Sequence, residues 1–456
     1  MKFDVVVIGA GLVGSAIAQE FTARGQSVCI VEKSNDVGNG TSKANTAIWH
    51  TGFDAVPGSL ESKLVGRGYF LLENYAKQAG IPIVKTGAVL VAWDEEQLAS
   101  LDGLADKAHK NGYEKTKRLS QSEVRNLEPN LSESALGGLL VPDEGIVCTW
   151  TTNLAYATTA VQAGATLYLN TKVVGVNSVP DGMEIQTDTH QTITGSLVVN
   201  AAGLYSDDIH RMFGHQTFSI TPRKGQLIVF DKLARNLVNH IILPVPSSKG
   251  KGVLISPTVY GNVILGPTAE DQTDKTDTST TQAGFESLLA KGQAMLPGLV
   301  TNEVTATYAG LRAATEHSDY QITFHLDQKY ICVGGIRSTG LTSALAIAEY
   351  VAEQLLIAGH PIGERADILP APMPNIGEDF VRPYQDELAI AKNPSFGEVI
   401  CHCERVTIGE LDQAFDSTIP PCTLEGLRRR TRATMGRCQG FYCGAEVAQR
   451  LTEANK

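Results

Sequence analysis

Hydrophobic residues follow two different periods along this chain. Residues 4–8 and 27–31 are short, continuous apolar runs, typical of strands buried on both faces, and residues 12–24 between them have helical spacing. From residue 217 to 266 apolar and polar positions mostly alternate, which predicts an antiparallel sheet. Further elements, three helices and a strand, are predicted at residues 60–79, 154–163, 282–295 and 330–334. The pattern predicts a mixed α/β protein.

Composition and charge narrow the class of protein. The chain has 456 residues, of which 43% are hydrophobic and 19% charged, so it can bury a sizeable core and wholesale disorder is excluded. It carries 38 Lys and Arg against 49 Asp and Glu, a net charge of -11. A general nucleic-acid binder needs a basic face for phosphate contacts, so we expect no nucleic-acid partner.

The N-terminal apolar run from residue 5 to 18 imitates a signal peptide, because Lys2 precedes it and small residues end it. Three glycines interrupt the run at a spacing that an export signal has no reason to keep, so we predict a folded strand and helix instead. No other segment reaches the ~18 apolar residues of a membrane span. We expect a cytoplasmic protein, either free or peripheral to the inner membrane.

A glycine turn follows the first predicted strand. Gly9, Gly11 and Gly14 form a GxGxxG motif at the start of the predicted helix. Such glycines permit a tight turn, backbone approach to a pyrophosphate and close packing of strand and helix. Glu32 ends the second strand, where its carboxylate can accept hydrogen bonds from a ribose. A turn with only a packing role would leave Glu32 unexplained, so the sequence predicts a dinucleotide site.

Two later segments share the features of a flavin site. VVNAAGLYSDD at residues 198–208 places small residues after a strand, and GGIRSTGLTSALAIA at 334–348 brings glycines and hydroxyls to a helix start. Each alone could be a plain tight turn, and no second fingerprint for a nicotinamide cofactor is present. In this order the three segments resemble the FAD-dependent oxidoreductases of the D-amino-acid oxidase / glycerol-3-phosphate dehydrogenase superfamily, over residues 1–357.

The resemblance implies a Rossmann-like FAD-binding domain and an antiparallel-sheet substrate domain, in an α/β (α+β overall) protein. The FAD-binding domain is expected at 1–80, 141–214 and 320–360, and the substrate-binding domain at 81–140 and 215–319. Thr41, Ser42 and Lys43 can donate to phosphate or flavin oxygens. The residues expected to bind FAD are Gly9, Gly11, Gly14, Glu32, Lys33, Thr41, Ser42, Lys43, Val173, Ala202, Gly203, Gly335, Gly340, Leu341 and Thr342.

Four cysteines near the C-terminus have the spacing CxC…CxxxxC: Cys401, Cys403, Cys438 and Cys443. Structural zinc sites usually begin C-x₂₋₄-C, whereas thiolates at CxC spacing suit a larger cluster, so we favour [2Fe–2S] and keep zinc as the alternative. The segment from 396 to 445 resembles the bacterioferritin-associated-ferredoxin-like [2Fe–2S] domain, especially as it occurs in anaerobic glycerol-3-phosphate dehydrogenases. We therefore expect a small helical [2Fe–2S] domain at 396–456, after a proline-rich linker at 361–395.

The remaining cysteines and a set of arginines receive separate interpretations. Cys29, Cys148 and Cys332 lie singly in apolar surroundings, which predicts buried thiols, and Cys422 falls outside the cluster spacing and is interpreted as structural. Five arginines close in sequence to the cluster cysteines either offset its charge or dock an acidic redox partner, or else form a solvated helix face. These arginines are Arg428, Arg429, Arg430, Arg432 and Arg437.

The resemblance also implies an active site. His50, in WHTG, is expected near the flavin, where imidazole can take the proton of a substrate hydroxyl; the alternative is a histidine that only hydrogen-bonds the flavin. Arg312, in YAGLRAAT, matches the family's substrate arginine, and guanidinium suits phosphate or carboxylate. Arg337 and Ser338 could complete the anion site. Tyr260 falls where relatives place a substrate-facing residue, or is a plain sheet tyrosine.

We therefore expect an FAD-dependent dehydrogenase that oxidises a small anionic hydroxy substrate, with glycerol-3-phosphate first. Electrons would leave through the cluster to an acceptor protein or a quinone, with or without companion subunits. Ala313–Ala314 after the substrate arginine, and Arg337 in place of a lysine, depart from glycerol-3-phosphate dehydrogenases. An L-2-hydroxyglutarate dehydrogenase and an amine or opine-type amino acid dehydrogenase stay as alternatives. A redox docking or iron-sensing module is the alternative of a different class.

Overall fold

The computed structural model describes residues 1–246 and 252–456. Its strands form two large sheets, a three-stranded sheet and a hairpin. The strands are β1 (Lys2–Ile8), β2 (Val28–Val31), β3 (Ile48–Trp49), β4 (Ile83–Val84), β5 (Ala88–Ala92), β6 (Lys117–Ser120), β7 (Gly137–Val141), β8 (Gly145–Val147), β9 (Thr166–Tyr168), β10 (Val173–Val179), β11 (Gly182–Thr187), β12 (Thr192–Asn200), β13 (Thr221–Phe230), β14 (Ile241–Pro244), β15 (Leu254–Pro257), β16 (Val263–Gly266), β17 (Glu270–Asp271), β18 (Val304–Ala314), β19 (Gln321–His325), β20 (Tyr330–Gly334), β21 (Val399–Cys401) and β22 (Val406–Thr407).

The second helix begins and ends at residues that cap it. The Ser59 hydroxyl accepts from the amide of Ser62 at the start of the second helix, and Gly80 ends that helix in the left-handed region. The helices are α1 (Leu12–Ala23), α2 (Leu60–Ala79), α3 (Glu95–Lys110), α4 (Gln121–Leu127), α5 (Thr149–Gln162), α6 (Ser206–Met212), α7 (Gln282–Met295), α8 (Gly340–Ile357), α9 (Glu387–Lys392), α10 (Ile408–Phe415), α11 (Leu424–Thr431) and α12 (Gly444–Ala454).

The first sheet has a parallel centre. β12, β1, β2 and β9 run parallel to one another, and β20 joins β12 in the same direction. β10, β11 and β19 extend this sheet with antiparallel pairs. Because all the parallel strands end at one edge, the loops after β1, β2, β12 and β20 meet there. The run at residues 5–18 that imitates an export signal is the buried beginning of this sheet and α1.

The second sheet is mostly antiparallel, as the alternating pattern from 217 to 266 predicts. Its strand order is β17-β13-β16-β15-β14-β5-β7-β6, with β18 also paired to β13. A smaller sheet of β3, β8 and β4 brings together residues 48–49, 145–147 and 83–84. The fold class expected from the sequence is confirmed: a Rossmann-like α/β layer, an antiparallel-sheet unit and a small helical C-terminal unit.

Helices α1, α2, α5 and α8 pack together on the first sheet. Within the described residues, α8 is the one helix long and apolar enough to cross a membrane. It packs against α1 and α2, and ten of its side chains, among them Ala344, Ile347 and Val351, are buried. We therefore assign α8 to the protein core.

The segment from 361 to 395 lies against the body of the protein. Its backbone amides at Ala371, Met373 and Glu378 donate to Thr159, Ala79 and Val259 respectively. It also contains α9, which the lack of periodicity does not predict. The C-terminal helices after it enclose a separate small core of Val406, Leu411, Leu427, Val447 and Leu451.

Candidate active site

A cavity of about 820 Å³ lies at the carboxyl edge of the first sheet and is closed by β13 and β18 of the second. The residues predicted to bind FAD or substrate converge on it, with three exceptions: Gly14, Thr342 and Tyr260 are not among its lining residues. The predicted residues that line the cavity are Gly9, Gly11, Glu32, Lys33, Thr41, Ser42, Lys43, His50, Val173, Ala202, Gly203, Arg312, Gly335, Arg337, Ser338, Gly340 and Leu341.

The glycine turn is required by close packing. Gly9 has a φ of +106°, and a Cβ there would lie 2.6 Å from the carbonyl oxygen of Ala201 after β12. A Cβ on Gly14 would overlap the carbonyl oxygen of Gly9, so α1 can approach β1 only because residue 14 lacks a side chain. Gly14 therefore acts beneath the cavity rather than in its wall, and the amino end of α1 faces the cavity at Gly11.

Polar side chains fix the loops around this helix start. Glu32 accepts hydrogen bonds from the amides of Ala10 and Ser34, both at 2.8 Å, which places its carboxylate beneath the glycine turn. The Ser42 hydroxyl accepts from the amide of Leu12 at 3.1 Å. Lys43 donates to Asn39 at 2.8 Å. The pKa of Lys43 lies below its ordinary value because the ammonium is partly buried and the Arg429 guanidinium is near.

Two arginines give the cavity an unpaired positive charge. Arg312 projects from β18, and a Cβ at Gly225 on the neighbouring strand would lie 3.1 Å from its Nη2, so glycine leaves room for the guanidinium. Among the residues that the structure describes, no carboxylate pairs with Arg312, and burial and the charge of Arg223 lower its pKa. Arg337 Nε is buried and has no hydrogen-bond partner in the described part of the chain. Unpaired, partly buried guanidinium groups favour an anionic ligand.

His50 lies at the end of β3, where two neighbours fix it. Its amide donates to the Thr342 hydroxyl at 3.0 Å, and its Nδ1 lies 3.1 Å from Glu144 Oε2. Thr342, expected at the cofactor, thus contacts the His50 backbone. Burial opposes protonation of the imidazole, but the charge of Glu144 and its hydrogen bond outweigh burial and raise the pKa of His50.

Sequence reasoning did not identify Glu144. The residue lies in a VPDEG turn, where an acidic side chain is usually solvated, yet it is fully buried. Its partner is 94 residues away in sequence. No local pattern in the sequence signals this contact.

Tyr260 lies outside the cavity, in the contact between the large sheet and the C-terminal unit. Its hydroxyl lies 3.1 Å from Cys148 Sγ, and its ring stacks on Trp150 with centroids 4.8 Å apart. The Arg432 guanidinium covers the ring at 4.4 Å. Tyr260 lies in the turn between β15 and β16 rather than in a strand, and its contacts are those of a packed tyrosine rather than of a substrate-facing residue.

The four C-terminal cysteines form two neighbouring pairs. Cys401 lies near Cys443 and Cys403 near Cys438, and the pairs are close enough for their charges to interact. Within the described residues, no three His, Cys, Asp or Glu side chains form a group that could hold one metal ion. Two thiol pairs fit a two-iron cluster, in which four thiolates are shared between the irons.

The loop between Cys438 and Cys443 stabilises a thiolate. Backbone amides of Tyr442, Gly440 and Phe441 donate to Cys438 and hold the pKa of its thiol below the ordinary value. Gln439 and Gly440 have positive φ values, which turn these amides towards the sulfur.

The cysteines outside the cluster are predicted to be buried or structural. Cys29, Cys148 and Cys332 are buried, as predicted. Cys422 is exposed, and its thiol lies 3.3 Å from the carbonyl oxygen of Asn35.

The arginine set joins the C-terminal unit to the rest of the chain. Arg429 and Arg430 both pair with Asp36, at 2.7 and 2.8 Å, and all three side chains are buried. Arg432 is buried too and pairs with Glu404 at 2.6 Å. The solvated helix face is therefore wrong for these three arginines, and their acidic partners belong to this chain. Burial would raise the pKa of Asp36, but Arg430 and Arg429 hold it below its ordinary range.

Comparison with known families assigns both parts of the chain. Residues 4–354 match the FAD dependent oxidoreductase family (DAO), and residues 399–453 match the BFD-like [2Fe-2S] binding domain. A glycerol 3-phosphate dehydrogenase of Caloramator mitchellensis is 37% identical over 454 residues, which is 98% of this chain and 94% of that protein.

Two further relatives cover the flavoprotein part. The FAD-bound L-alpha-glycerophosphate oxidase of Mycoplasma pneumoniae superposes with a TM-score of 0.74 at 29% identity, over 78% of this chain and 95% of that one. The human mitochondrial L-2-hydroxyglutarate dehydrogenase is 31% identical over 284 residues, 59% of this chain and 61% of that protein. FAD and a [2Fe–2S] cluster are thus the cofactors. The chain belongs to the FAD dependent oxidoreductase family and carries a C-terminal BFD-like [2Fe–2S] binding domain.

Proposed function

We propose that the protein oxidises glycerol-3-phosphate to dihydroxyacetone phosphate. The observation that carries this proposal is the pair of unpaired guanidinium groups, Arg312 and Arg337, in a cavity that also contains His50. A phosphate group offers the charge and the several oxygens that two guanidiniums can bind. Similarity to a glycerol 3-phosphate dehydrogenase over nearly the whole chain supports the same substrate.

The residues around the cavity fit FAD. The amino end of α1 and the glycine turn offer backbone amides to a pyrophosphate, and Glu32 offers a carboxylate to a ribose. The segment from Gly335 to Leu341 offers the start of α8 to the flavin ring. When bound, FAD supplies the acceptor for the hydride that leaves the substrate carbon.

In the mechanism that we propose, Arg312 and Arg337 bind the phosphate and orient the secondary alcohol. His50 Nε2 takes the hydroxyl proton as the carbon loses its hydride and the carbonyl forms, so the substrate loses two electrons and two hydrogens. Ser338, at the rim beside Arg337, is available to donate to the same phosphate.

We propose that Cys401, Cys403, Cys438 and Cys443 hold the [2Fe–2S] cluster, which supplies one-electron transfer to an acceptor protein or a quinone. Phe441 and Tyr442, in the cluster loop, are 84% and 77% exposed. Exposed aromatic side chains favour a protein contact, so docking of the acceptor at this loop is part of the proposal. We also propose that the enzyme is cytoplasmic, either free or peripheral to the membrane.

The experiment that tests the substrate is an anaerobic titration of the purified holoenzyme, followed by absorption of the flavin. Bleaching with glycerol-3-phosphate supports the proposal. Bleaching with L-2-hydroxyglutarate alone would indicate that the two arginines bind a carboxylate instead of a phosphate. The similarity to the human L-2-hydroxyglutarate dehydrogenase favours this alternative. Bleaching with an N-substituted amino acid alone would move the enzyme to amine oxidation.

A second experiment separates oxidation from electron export. In Cys401→Ser we expect substrate-driven bleaching of the flavin to survive, while transfer to a one-electron acceptor is lost together with the cluster absorption. If transfer to the acceptor continued at the original rate without the cluster, the export role of the C-terminal domain would be refuted. Loss of flavin bleaching with the fold intact would contradict the two-stage scheme.

A further inference from the structure

We propose that Glu144 is a positioning residue for His50: its carboxylate holds the hydrogen on Nδ1 and so leaves Nε2 as the ring atom that accepts the substrate proton. This inference rests on the proposed function, in which His50 is the base. Glu144 lies in the turn between β7 and β8 and does not line the cavity. It acts through His50 and touches neither substrate nor cofactor.

The carboxylate of Glu144 is held by donors from two consecutive residues. Oε1 accepts from the Thr51 amide at 2.6 Å and from the Thr51 hydroxyl at 2.8 Å, and Oε2 lies 3.1 Å from His50 Nδ1. The side chain of Glu144 is fully buried. A buried carboxylate left with unsatisfied oxygens costs free energy, so these three contacts form one unit.

The ionisation of Glu144 decides the tautomer of His50. An ionised carboxylate can only accept hydrogen bonds, so the imidazole nitrogen facing it must carry the hydrogen. The neutral ring then has its lone pair on Nε2. A neutral amide at position 144 would hold the loop equally well through Thr51, but it would not impose this tautomer.

The backbone of the turn is fixed as firmly as the side chain. The Glu144 amide donates to Val141 at 3.3 Å, and its carbonyl accepts from Gly87 at 2.8 Å. A Cβ at Gly145 would lie 2.6 Å from the carbonyl oxygen of Val84 and 2.8 Å from the Trp49 ring. The turn is therefore packed against β3 and β4, and Glu144 has little freedom to move away from His50.

Acidic groups raise the pKa of His50 in two ways within the described structure. Glu144 contacts the imidazole, whereas Asp54 and Glu61 contribute through their charge. Asp54 is exposed, and Glu61 accepts a hydrogen bond from Thr339 at 2.7 Å. Glu61 is therefore a matched control: its charge also raises the pKa of His50, but its hydrogen bond is with Thr339 and not with the imidazole.

The direct test is ¹⁵N NMR of the histidine side chains in the FAD-loaded holoenzyme, with the His50 signals assigned by their loss in His50→Gln. We expect the Nδ1–H tautomer and a pKa above the ordinary 6.5. In Glu144→Gln we expect the tautomer preference to be lost and the pKa of His50 to fall. An Nε2–H tautomer in the unmodified enzyme would overturn the proposal, and this measurement does not depend on any Glu144 variant folding.

Kinetics supply a second readout, the rate constant of flavin reduction by glycerol-3-phosphate as a function of pH. The base acts when neutral, so the rate rises with pH through the pKa of His50. In Glu144→Gln we expect the maximum rate to fall about tenfold or more. We also expect the acid limb of the profile, the pH range in which the rate falls with decreasing pH, to move to lower pH. A lower rate with an unmoved acid limb would show a merely structural role and overturn the inference.

Control variants separate this inference from the proposed function. Thr51→Val removes one donor to Glu144 but keeps the charge beside His50, so its acid limb should stay in place. Glu61→Gln should shift the limb less than Glu144→Gln does. If His50→Ala reduces flavin within about twofold of the original rate, His50 is not the base and the proposed mechanism fails. If His50→Ala is slowed ~10²-fold while Glu144→Gln matches the original enzyme, the role of Glu144 alone is refuted.

Discussion

A single guanidinium can explain why the substrate that we propose is anionic, because the positive charge of Arg312 is not used elsewhere in the described structure. Arg223 on the neighbouring strand pairs with Asp271, at 2.6 Å, and the two carry much of their side chains in solvent. Arg312 is more buried and lacks such a partner. Burial of the unpaired Arg312 guanidinium therefore costs desolvation free energy, which the binding of an anionic ligand would offset.

We predict that Arg312→Lys raises the KM for glycerol-3-phosphate at least tenfold, because an ammonium keeps the charge but loses the two-pronged contact with phosphate. Arg312→Ala should raise it further. Steady-state kinetics of the holoenzyme measure both effects. Arg223→Lys is the matched control on the adjacent strand and should leave KM within about twofold. Equal effects at the two positions would show that the general charge of the sheet, and not Arg312, binds the substrate.

The pH dependence of flavin reduction also depends on single residues. Glu144 raises the pKa of His50, so protonation should inactivate the base at a pH above that of an ordinary imidazole, 6.5. We expect the rate of flavin reduction to fall as pH drops through this raised value. His50→Gln should be slow and should lack the acid limb, when measured by stopped-flow absorption over pH 5 to 9. An acid limb that persists in this variant would assign the titration to another group.

At the scale of the elements, two helical glycines, Gly14 of α1 and Gly66 of α2, contrast in what surrounds them. Gly14 faces the carbonyl oxygen of Gly9, whereas nothing lies within 4 Å of a Cβ built on Gly66. The same residue type in a helix thus serves a close approach at position 14 and nothing comparable at position 66. Close approach of α1 is what brings its amino end to the cavity.

We predict that Gly14→Ala pushes α1 away from β1, weakens FAD binding at least tenfold and lowers stability by about 1–3 kcal/mol. Gly66→Ala should leave FAD binding unchanged and raise stability by up to about 1 kcal/mol, because alanine is the better helix former. Fluorescence titration of the apoprotein with FAD and thermal unfolding measure the two effects. Tight FAD binding in Gly14→Ala would refute the packing argument.

Elements with local patterns are predictable from the sequence, and contacts between distant residues are not. β1, α1 and β2 follow from continuous apolar runs and a glycine turn, and α7 from its helical spacing. By contrast, the contact of His50 with Glu144 and that of Asp36 with Arg430 join residues 94 and 394 positions apart. The sequence identifies the chemistry of each side chain, but the partner of a charge depends on the packing of whole elements.

At the scale of the whole molecule, a buried ion pair fixes the C-terminal domain beside the dinucleotide turn. Asp36 lies between Glu32 and Thr41, two residues of the cavity wall, and it accepts from Arg429 and Arg430 of α11. Arg437 adds a contact with Asp231 at the end of β13, and Gln162 of α5 donates to Thr418. The [2Fe–2S] domain therefore has a defined position against the flavoprotein part.

Removing the anion from this contact should release the domain, since two buried guanidinium groups would lose their partner. We predict that Asp36→Ala destabilises the protein by about 3–5 kcal/mol and separates unfolding into two transitions. Because Arg430 and Arg429 lower the pKa of Asp36, its contribution is complete above the ordinary 3.8 and is lost as pH falls below that value. Arg450→Ala is the control: its partner Glu446 is 56% exposed, and the loss should stay below about 1 kcal/mol. Calorimetry and limited proteolysis of the segment before residue 399 measure these outcomes. A single, unshifted transition in Asp36→Ala would show that the remaining contacts hold the two parts together without this ion pair.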